Sequence, residues 1–494
     1  MAPQLHDHAT LLKRFTDAGQ GHVFAFWDAL SQNDRAELLD NLAKIDVDRV
    51  NRIFKKATAP TDEAAATAAK DELEPLPEAA FASTIGKANE AKVASWYNEG
   101  LKLIAQNKVA VILLAGGQGT RLGSSDPKGC YDIGLPSKKS LFQLQAERII
   151  RLQKVAAKAH SKGTENVVIP WYIMVSGPTR EATTSYFRKH NFFGLDPENV
   201  MFFEQGVLPA FDPTGKIFME TKSTPALAPD GNGGIYAALR REGVLADLER
   251  RQIPYVHTYC VDNCLVKVAD PVFIGYCVGQ DADCGAKAVP KASANESVGV
   301  ICLRSGKFAV VEYSEIPPAI AEATRPDDPS TLLYNAANIA NHFYTTAFLN
   351  RVDALEAELD YHVAHKKIKH VDTTTGEKVS PSQNNGVKLE LFIFDVFPFT
   401  QRMAVLEVPR NDEFSPLKNA PGAAKPVDSP ETSRAHILDQ CVRWARAAGA
   451  TVVSSNENEK EDPPVLEISP LVSYGGEGLE AYAGKTIFTP TILA

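Results

Sequence analysis

Val109–Gly123, VAVILLAGGQGTRLG, sets the frame for the whole chain. Its first seven residues are apolar without a break and glycines end them, the pattern of a short strand buried on both faces. A loop follows, and then Ser140 stands before LFQLQAERIIRLQKVAAKA, where Leu141, Leu144, Ile149 and Leu152 recur at helical spacing and the serine is placed to cap. Next come VVIPWYIMVSG, a second strand-like run, and the helical TREATTSYFRKH. Strand, helix, strand, helix predicts a parallel or mostly parallel sheet with helices on both faces. Such a sheet binds ligands at the carboxyl ends of its strands.

The 494 residues suffice for about two to four domains. With 44% hydrophobic and 23% charged residues the composition is that of a globular chain. The longest clean apolar run, Val109 to Ala115, falls well short of the roughly 20 residues a membrane span needs, so no membrane partner is expected. Net charge is −9, from 52 basic and 61 acidic residues, which argues against a nucleic-acid coat but leaves a small anionic ligand open. MAPQLHDHAT has no basic segment followed by an apolar one, and seven scattered cysteines form no disulfide framework; both point to the cytoplasm.

Apolar spacing from Thr10 to Lys56, as in Phe24, Trp27 and Leu30 and then Leu38, Leu39 and Leu42, predicts short amphipathic helices. Ala57 to Pro77 reads as a linker. Past Gln401, MAVLEV and VVSS read as short strands around a Pro/Ala/Ser loop. The expected division is a helical N-terminal domain with linker (1–105), a central domain (106–400) and a small C-terminal α+β domain (401–494).

The loop after the first strand carries the chemistry. Gly116, Gly117 and Gly119 allow close backbone approach and positive φ, so consecutive amides there can wrap a phosphate or a base edge. Arg121 and Lys128 add positive charge. The spacing fits neither common nucleotide loop: three residues separate Gly119 from Gly123, and Lys128 lies between proline and glycine rather than before Ser or Thr. At the end of the strand-like YVHTYCVDN stands Asp262, a candidate Mg²⁺ ligand, since one carboxylate plus phosphate oxygens is a usual way to hold that ion. An aspartate at a strand end also serves as a turn residue. Asp395, an acid in the apolar run FIFDVF read here as a strand, is a second metal candidate, or a structural partner for a buried basic group.

LAGGQGTRLG with PKG resembles the signature loop of the uridylyl-transferring sugar pyrophosphorylases, in the form found in the eukaryotic-type UDP-N-acetylglucosamine pyrophosphorylases. FFEQGVLPA, GNGGIY, CVDN, VVEYSEI, NAANIANHF, FIFDVFPF and EFSPLKN extend the resemblance, in order, over roughly residues 110 to 420. It implies a Rossmann-like, doubly wound mixed sheet of the nucleotidyltransferase type. It further implies that N-acetylglucosamine-1-phosphate attacks the α-phosphorus of UTP, with Mg²⁺ as cofactor, releasing pyrophosphate and forming UDP-N-acetylglucosamine. Arg121, Lys128 and Lys418 would then serve the phosphates. Leu114, Gly116, Gly117, Gln205 and Gly231 would serve the nucleotide, and Asn232, Gly299, Glu312, Asn338, Phe392 and Phe394 the sugar. In a strand, Phe392 and Phe394 would share a face, and at least one would be ordinary core. N-acetylgalactosamine-1-phosphate or glucose-1-phosphate as the acceptor, and a non-catalytic nucleotide-sugar binder, are the alternatives.

Two further clusters carry no chemistry in this reading. Cys260 and Cys264 with His257 fit no common zinc spacing and read as buried thiols. The histidines of YHVAHKKIKH read as a solvated helix face.

Overall fold

The computed structural model describes residues 7–59, 73–424, 426–454 and 463–494. They fall into two compact units: the larger within Ala69–Glu204, Leu239–Asp353 and Val396–Ala494, the smaller within Met1–Ala68, Gln205–Ala238 and Ala354–Asp395.

The larger unit is built on an 11-stranded mixed sheet. Its strands are β1 (Leu73–Glu74), β2 (Phe81–Ser83), β3 (Val109–Leu114), β4 (Trp171–Val175), β5 (Val200–Glu204), β6 (Tyr255–Cys260), β7 (Cys284–Pro290), β8 (Val300–Arg304), β9 (Lys307–Val311), β10 (Ala336–Thr345) and β11 (Met403–Glu407). The order runs β2-β11-β7-β10-β6-β3-β4-β5, with β8 pairing β10, β9 and β1. Every residue of β3 is buried, as its unbroken apolar run predicts, and β3 lies parallel to both β4 and β6. The chain leaves β3 for β4 and β5 on one side, then returns to β6 on the other. That reversal opens a crevice at the carboxyl ends of β3 and β6, where Leu114 pairs with Cys260.

Helices α1 (Glu90–Ala105), α2 (Leu141–Ala159), α3 (Gly177–Lys189), α4 (Pro271–Gly279) and α5 (Pro430–Ala447) belong to this unit. α1 and α4 meet backbone to backbone: a Cβ on Gly100 would lie 2.0 Å from the Pro271 carbonyl oxygen, and one on Gly275 1.9 Å from that of Trp96. Ser140 caps α2 as its position predicts, its Oγ accepting from the Gln143 N–H at 3.2 Å. Ser140→Ala is expected to cost about 1 kcal/mol in urea unfolding, with turnover unchanged.

The smaller unit gathers three distant segments. Helices at His8–Asp17, Gln32–Ala43 and Val47–Ala57 bear out the helical reading of the N-terminal region, whereas Phe24, Trp27 and Leu30 lie in and beside short 3₁₀ turns. This helical region is sewn to residues 211–217: the Gln20 amide donates to the Gly215 carbonyl at 2.7 Å, and the Phe54 and Phe211 rings lie 4.9 Å apart.

Several expectations need correction. Met403–Glu407, read as the start of the C-terminal domain, is an interior strand of the large sheet, flanked in parallel by β7 and β2. IYAALRREGVLADLERR, whose sequence after GNGG reads as a single helix, forms two, Ile235–Arg241 and Val244–Arg250, because Gly243 takes a φ of +81° between them. YHVAHKKIKH is not helical: His362–Lys366 is a strand paired antiparallel with Gly386–Glu390. The FIFDVF run is a turn, so Asp395 does not sit inside a strand. The linker expected at Ala57–Pro77 lies outside the described residues from 60 to 72.

Candidate active site

In the larger unit, the loop leaving β3 folds back on itself. The Gly119 N–H donates to the Asp126 carbonyl at 2.9 Å and the Lys128 N–H to that of Gly117 at 3.2 Å. Ser176, at the start of α3, donates its hydroxyl to the Gly116 carbonyl at 2.7 Å. The Gly116 and Gly117 N–H groups donate to no acceptor among the described residues, as an anion cradle requires. The conformational reason differs from the expected one: Gly116, Gly117 and Gly119 do not have positive φ, and only Gly123, at +77°, does. A Cβ on Gly117 would face open space. Arg121 is exposed in the turn Thr120–Leu122 and makes no ion pair among the described residues.

The loop after β6 meets a segment 150 residues further along the chain. The Leu417 N–H donates to the Asp262 carbonyl and the Cys264 N–H to that of Ser415, both at 2.9 Å. Asn263, buried between them, donates its Nδ2 to the Glu413 carbonyl at 2.7 Å and accepts from the Ser415 N–H at 2.9 Å. This short ladder fixes Lys418 beside Asp262. The Lys128 ammonium joins them, 3.0 Å from the Leu417 carbonyl and 3.8 Å from an Asp262 carboxylate oxygen. Burial pushes the Cys260 thiol up, Asp262 pushes it further, and the charges of Lys128 and Lys418 pull the other way. Cys264 is a buried thiol, as read, and its burial raises it to about 11, whereas Cys260 is only half-buried.

No cluster of three or more His, Cys, Asp or Glu side chains suited to a metal occurs among the described residues. A lone carboxylate beside the Lys128 ammonium does fit an ion whose other ligands are phosphate oxygens.

A second group of predicted residues assembles at the far side of β10. The Asn338 N–H donates to the Gly299 carbonyl at 2.9 Å, and a Cβ on Gly299 would lie 3.2 Å from a Glu312 carboxylate oxygen. A Cβ at 299 would meet Val310 Cγ1 still closer, at 2.8 Å.

The smaller unit brings together the remaining six. Gln205 donates its Nε2 to the Gly231 carbonyl. Gly231 has a φ of +84°, and a Cβ there would lie 2.2 Å from the Leu391 carbonyl oxygen, so no other residue fits. Asn232 accepts at Oδ1 from the Ile393 N–H at 2.9 Å. The Phe392 and Phe394 rings lie 5.2 Å apart, Phe394 buried and Phe392 half-buried. Asp395 accepts from the Phe392 N–H at 2.7 Å and pairs with His362 at 3.1 Å. Sequence reasoning did not find Ser176, Asn263 or His362, which act through backbone groups or across the chain and leave no local signature.

A glycine loop and a carboxylate facing Lys128, at the switch point of a doubly wound mixed sheet, define an α/β enzyme of the nucleotidyltransferase type. The chain belongs to the UTP–glucose-1-phosphate uridylyltransferase family, whose model matches residues 50–469. Human UDP-N-acetylhexosamine pyrophosphorylase-like protein 1 is 48% identical over 503 residues, covering 97% of this chain and 96% of its own. The UDP-N-acetylglucosamine pyrophosphorylase of Saccharomyces cerevisiae is 46% identical over 479 residues, 95% of this chain and 96% of its own. The crystal structure of the Trypanosoma brucei UDP-N-acetylglucosamine pyrophosphorylase in complex with an inhibitor matches with a TM-score of 0.83 at 31% identity, covering 97% of this chain and 95% of that one.

Proposed function

We propose that this protein is a UDP-N-acetylglucosamine pyrophosphorylase: it transfers the uridylyl group of UTP to N-acetylglucosamine-1-phosphate, forming UDP-N-acetylglucosamine and releasing pyrophosphate. The observation that carries the reading is the meeting of Lys128, Asp262 and the Leu417–Lys418 segment at the carboxyl ends of β3 and β6. The full-length relatives give it the amino sugar.

The chemistry asks little of acid–base groups. A phosphate monoester has its second pKa near ~6, so the attacking oxygen is already anionic and needs no general base. The task is to align two anions that repel each other and to stabilise charge on the transferring phosphoryl group. The unengaged amides of Gly116 and Gly117 cradle the nucleotide, Arg121 and Lys128 take the UTP phosphates and the leaving pyrophosphate, and Lys418 supplies a further cation. Asp262 would hold Mg²⁺ with the phosphate oxygens, and the ion would add Lewis-acid stabilisation. Asp395, engaged with His362 and the Phe392 amide, is the weaker candidate for that role. With Nε2 given to Gly231, Gln205 offers its Oε1 to the uracil N3–H. Glu312 clamps sugar hydroxyls, while Asn232 and Asn338 face sugar oxygens. Gly299 lies close to the sugar, and Phe392 and Phe394 meet the acetyl methyl. Among the described residues no helix is long and apolar enough to cross a membrane; seven unpaired cysteines suit the reducing cytoplasm we propose.

Purified protein supplied with UTP, Mg²⁺ and each sugar-1-phosphate in turn is expected to release pyrophosphate fastest with N-acetylglucosamine-1-phosphate. A tenfold or greater preference for glucose-1-phosphate would overturn the sugar assignment. Binding of UDP-sugar without pyrophosphate release with any sugar phosphate would make the protein a non-catalytic binder.

A further inference from the structure

Asn338 and His342 are four residues apart on β10, and in a regular strand that separation would place them about 13 Å apart. They are in contact here. The ladder slips between them, Ala340 takes a φ of +51°, and His342 Nε2 comes to 3.2 Å from Asn338 Oδ1. A non-glycine residue in the left-handed region at a bulge is a costly device, and bulges serve to re-aim side chains.

The hydrogen bonds fix the orientation of the Asn338 amide. The Ala340 N–H, a donor without ambiguity, lies 3.1 Å from the Asn338 amide, so the atom facing it is the oxygen. His342 Nε2 faces the same oxygen and must also donate. Nδ1 is then bare and faces the Tyr344 hydroxyl 3.2 Å away. Burial, with the nearby His257 ring, pushes His342 down to about 3, so the ring is neutral and carries one N–H. His342 and Tyr344 are both buried, with relative exposures of 0% and 1%. The Asn338 Nδ2 group makes no hydrogen bond among the described residues.

We propose that Tyr344 and His342 are positioning residues that lock the Asn338 amide with its oxygen inward, so that it meets the sugar phosphate only as a donor, to a hydroxyl or acetamido oxygen. The inference rests on the sugar-1-phosphate reading above. Without the relay, the amide is free to present its oxygen, which repels those same acceptor atoms.

His342→Phe keeps a ring of similar shape and removes the donor. It is expected to raise the KM for N-acetylglucosamine-1-phosphate about tenfold, leaving the KM for UTP within twofold and kcat within threefold. His342→Gln, whose Nε2 can donate from nearly the same place, should recover most of the loss. Tyr344→Phe keeps the fold with a single oxygen removed and frees Nδ1 to take the ring proton; a two- to fourfold rise in the same KM is expected. Glucose- and N-acetylgalactosamine-1-phosphate arms identify the oxygen: sparing of the former points to the acetamido carbonyl, of the latter to the 4-hydroxyl, and loss in all three to an oxygen they share. The relay is overturned if His342→Phe and Tyr344→Phe both match the parent, if Gln rescues no better than Phe, or if the KM for UTP rises in parallel. Parent protein that turns over no sugar phosphate overturns the underlying reading and the relay with it; parent turnover with indifferent variants overturns the relay alone.

Discussion

Arg121→Ala is expected to lower kcat by about 10²- to 10³-fold, the usual loss when a preorganised group facing transition-state charge is removed. The KM for UTP should change by less than about threefold, because ground-state phosphate binding is shared with Lys128 and the loop amides. Structure and charge both favour this split. The guanidinium has no ion-pair partner among the described residues, so its full charge is available to a ligand, whereas Lys128 is already engaged with the Leu417 carbonyl and lies 3.8 Å from Asp262. The loop does not depend on the side chain either: Leu122 is buried, and Gly119 and Lys128 hold the hairpin through backbone bonds. Stability should therefore stay within about 0.5 kcal/mol of the parent. Initial rates over a UTP series and a melting curve check both statements. A variant that loses activity only through KM would show that Arg121 binds substrate without acting on the transition state.

What the sequence discloses about this site follows the range of the interactions that build it. β3 and the cap at Ser140 are local, and each reads correctly from its own residues because burial on two faces and an N-cap leave marks within a few positions, whereas the glycine loop is placed correctly but its positive φ falls at Gly123 alone. The ladder that sets Lys418 beside Asp262 joins residues 262–264 to 415–417, and only its chemistry-bearing members, not their pairing, are visible in the chain. His342 looks like one more strand residue, since an ordinary two-residue period hides the bulge at Ala340. The FIFDVF run misleads for the opposite reason: all its apolar residues but Phe392 are buried, but the Asp395 carboxylate bonds the Phe392 amide and makes a turn, which is what a short acidic side chain does when a backbone donor is in reach. The smaller unit is invisible as a unit because its three segments are separated by most of the larger one.

Beneath the Asp262–Lys418 ladder lies the interaction whose loss should cost most in stability. Lys287, in the middle of β7, is fully buried, and its ammonium contacts the carboxylates of Asp270, at 2.5 Å, and of Glu413. Lys267 reaches Glu413 from 3.2 Å, so two lysines face two acids in the interior. Burial by itself would raise Asp270, but the Lys287 charge, aided by Lys267 and the Val272 N–H, holds it below the usual carboxylate range. Lys287→Met removes one cation and leaves a buried carboxylate without a counter-ion. The expected loss is about 3–5 kcal/mol in urea unfolding. The pH dependence has a definite sign. In the parent, the depressed Asp270 contributes stability that is present above its unfolded value of about 3.9 and lost as pH falls through the folded one. In the variant, the same carboxyl is raised by burial, so the defect grows as pH rises above the unfolded value of about 3.9. Adding Asp270→Asn should recover part of the loss, because asparagine removes the stranded charge and still caps α4 through the bond that Asp270 makes to the Val272 N–H. A loss under about 1 kcal/mol, or a defect indifferent to pH, would mean that water or rearrangement compensates the charge and that the network does not hold the Glu413 carbonyl for Asn263.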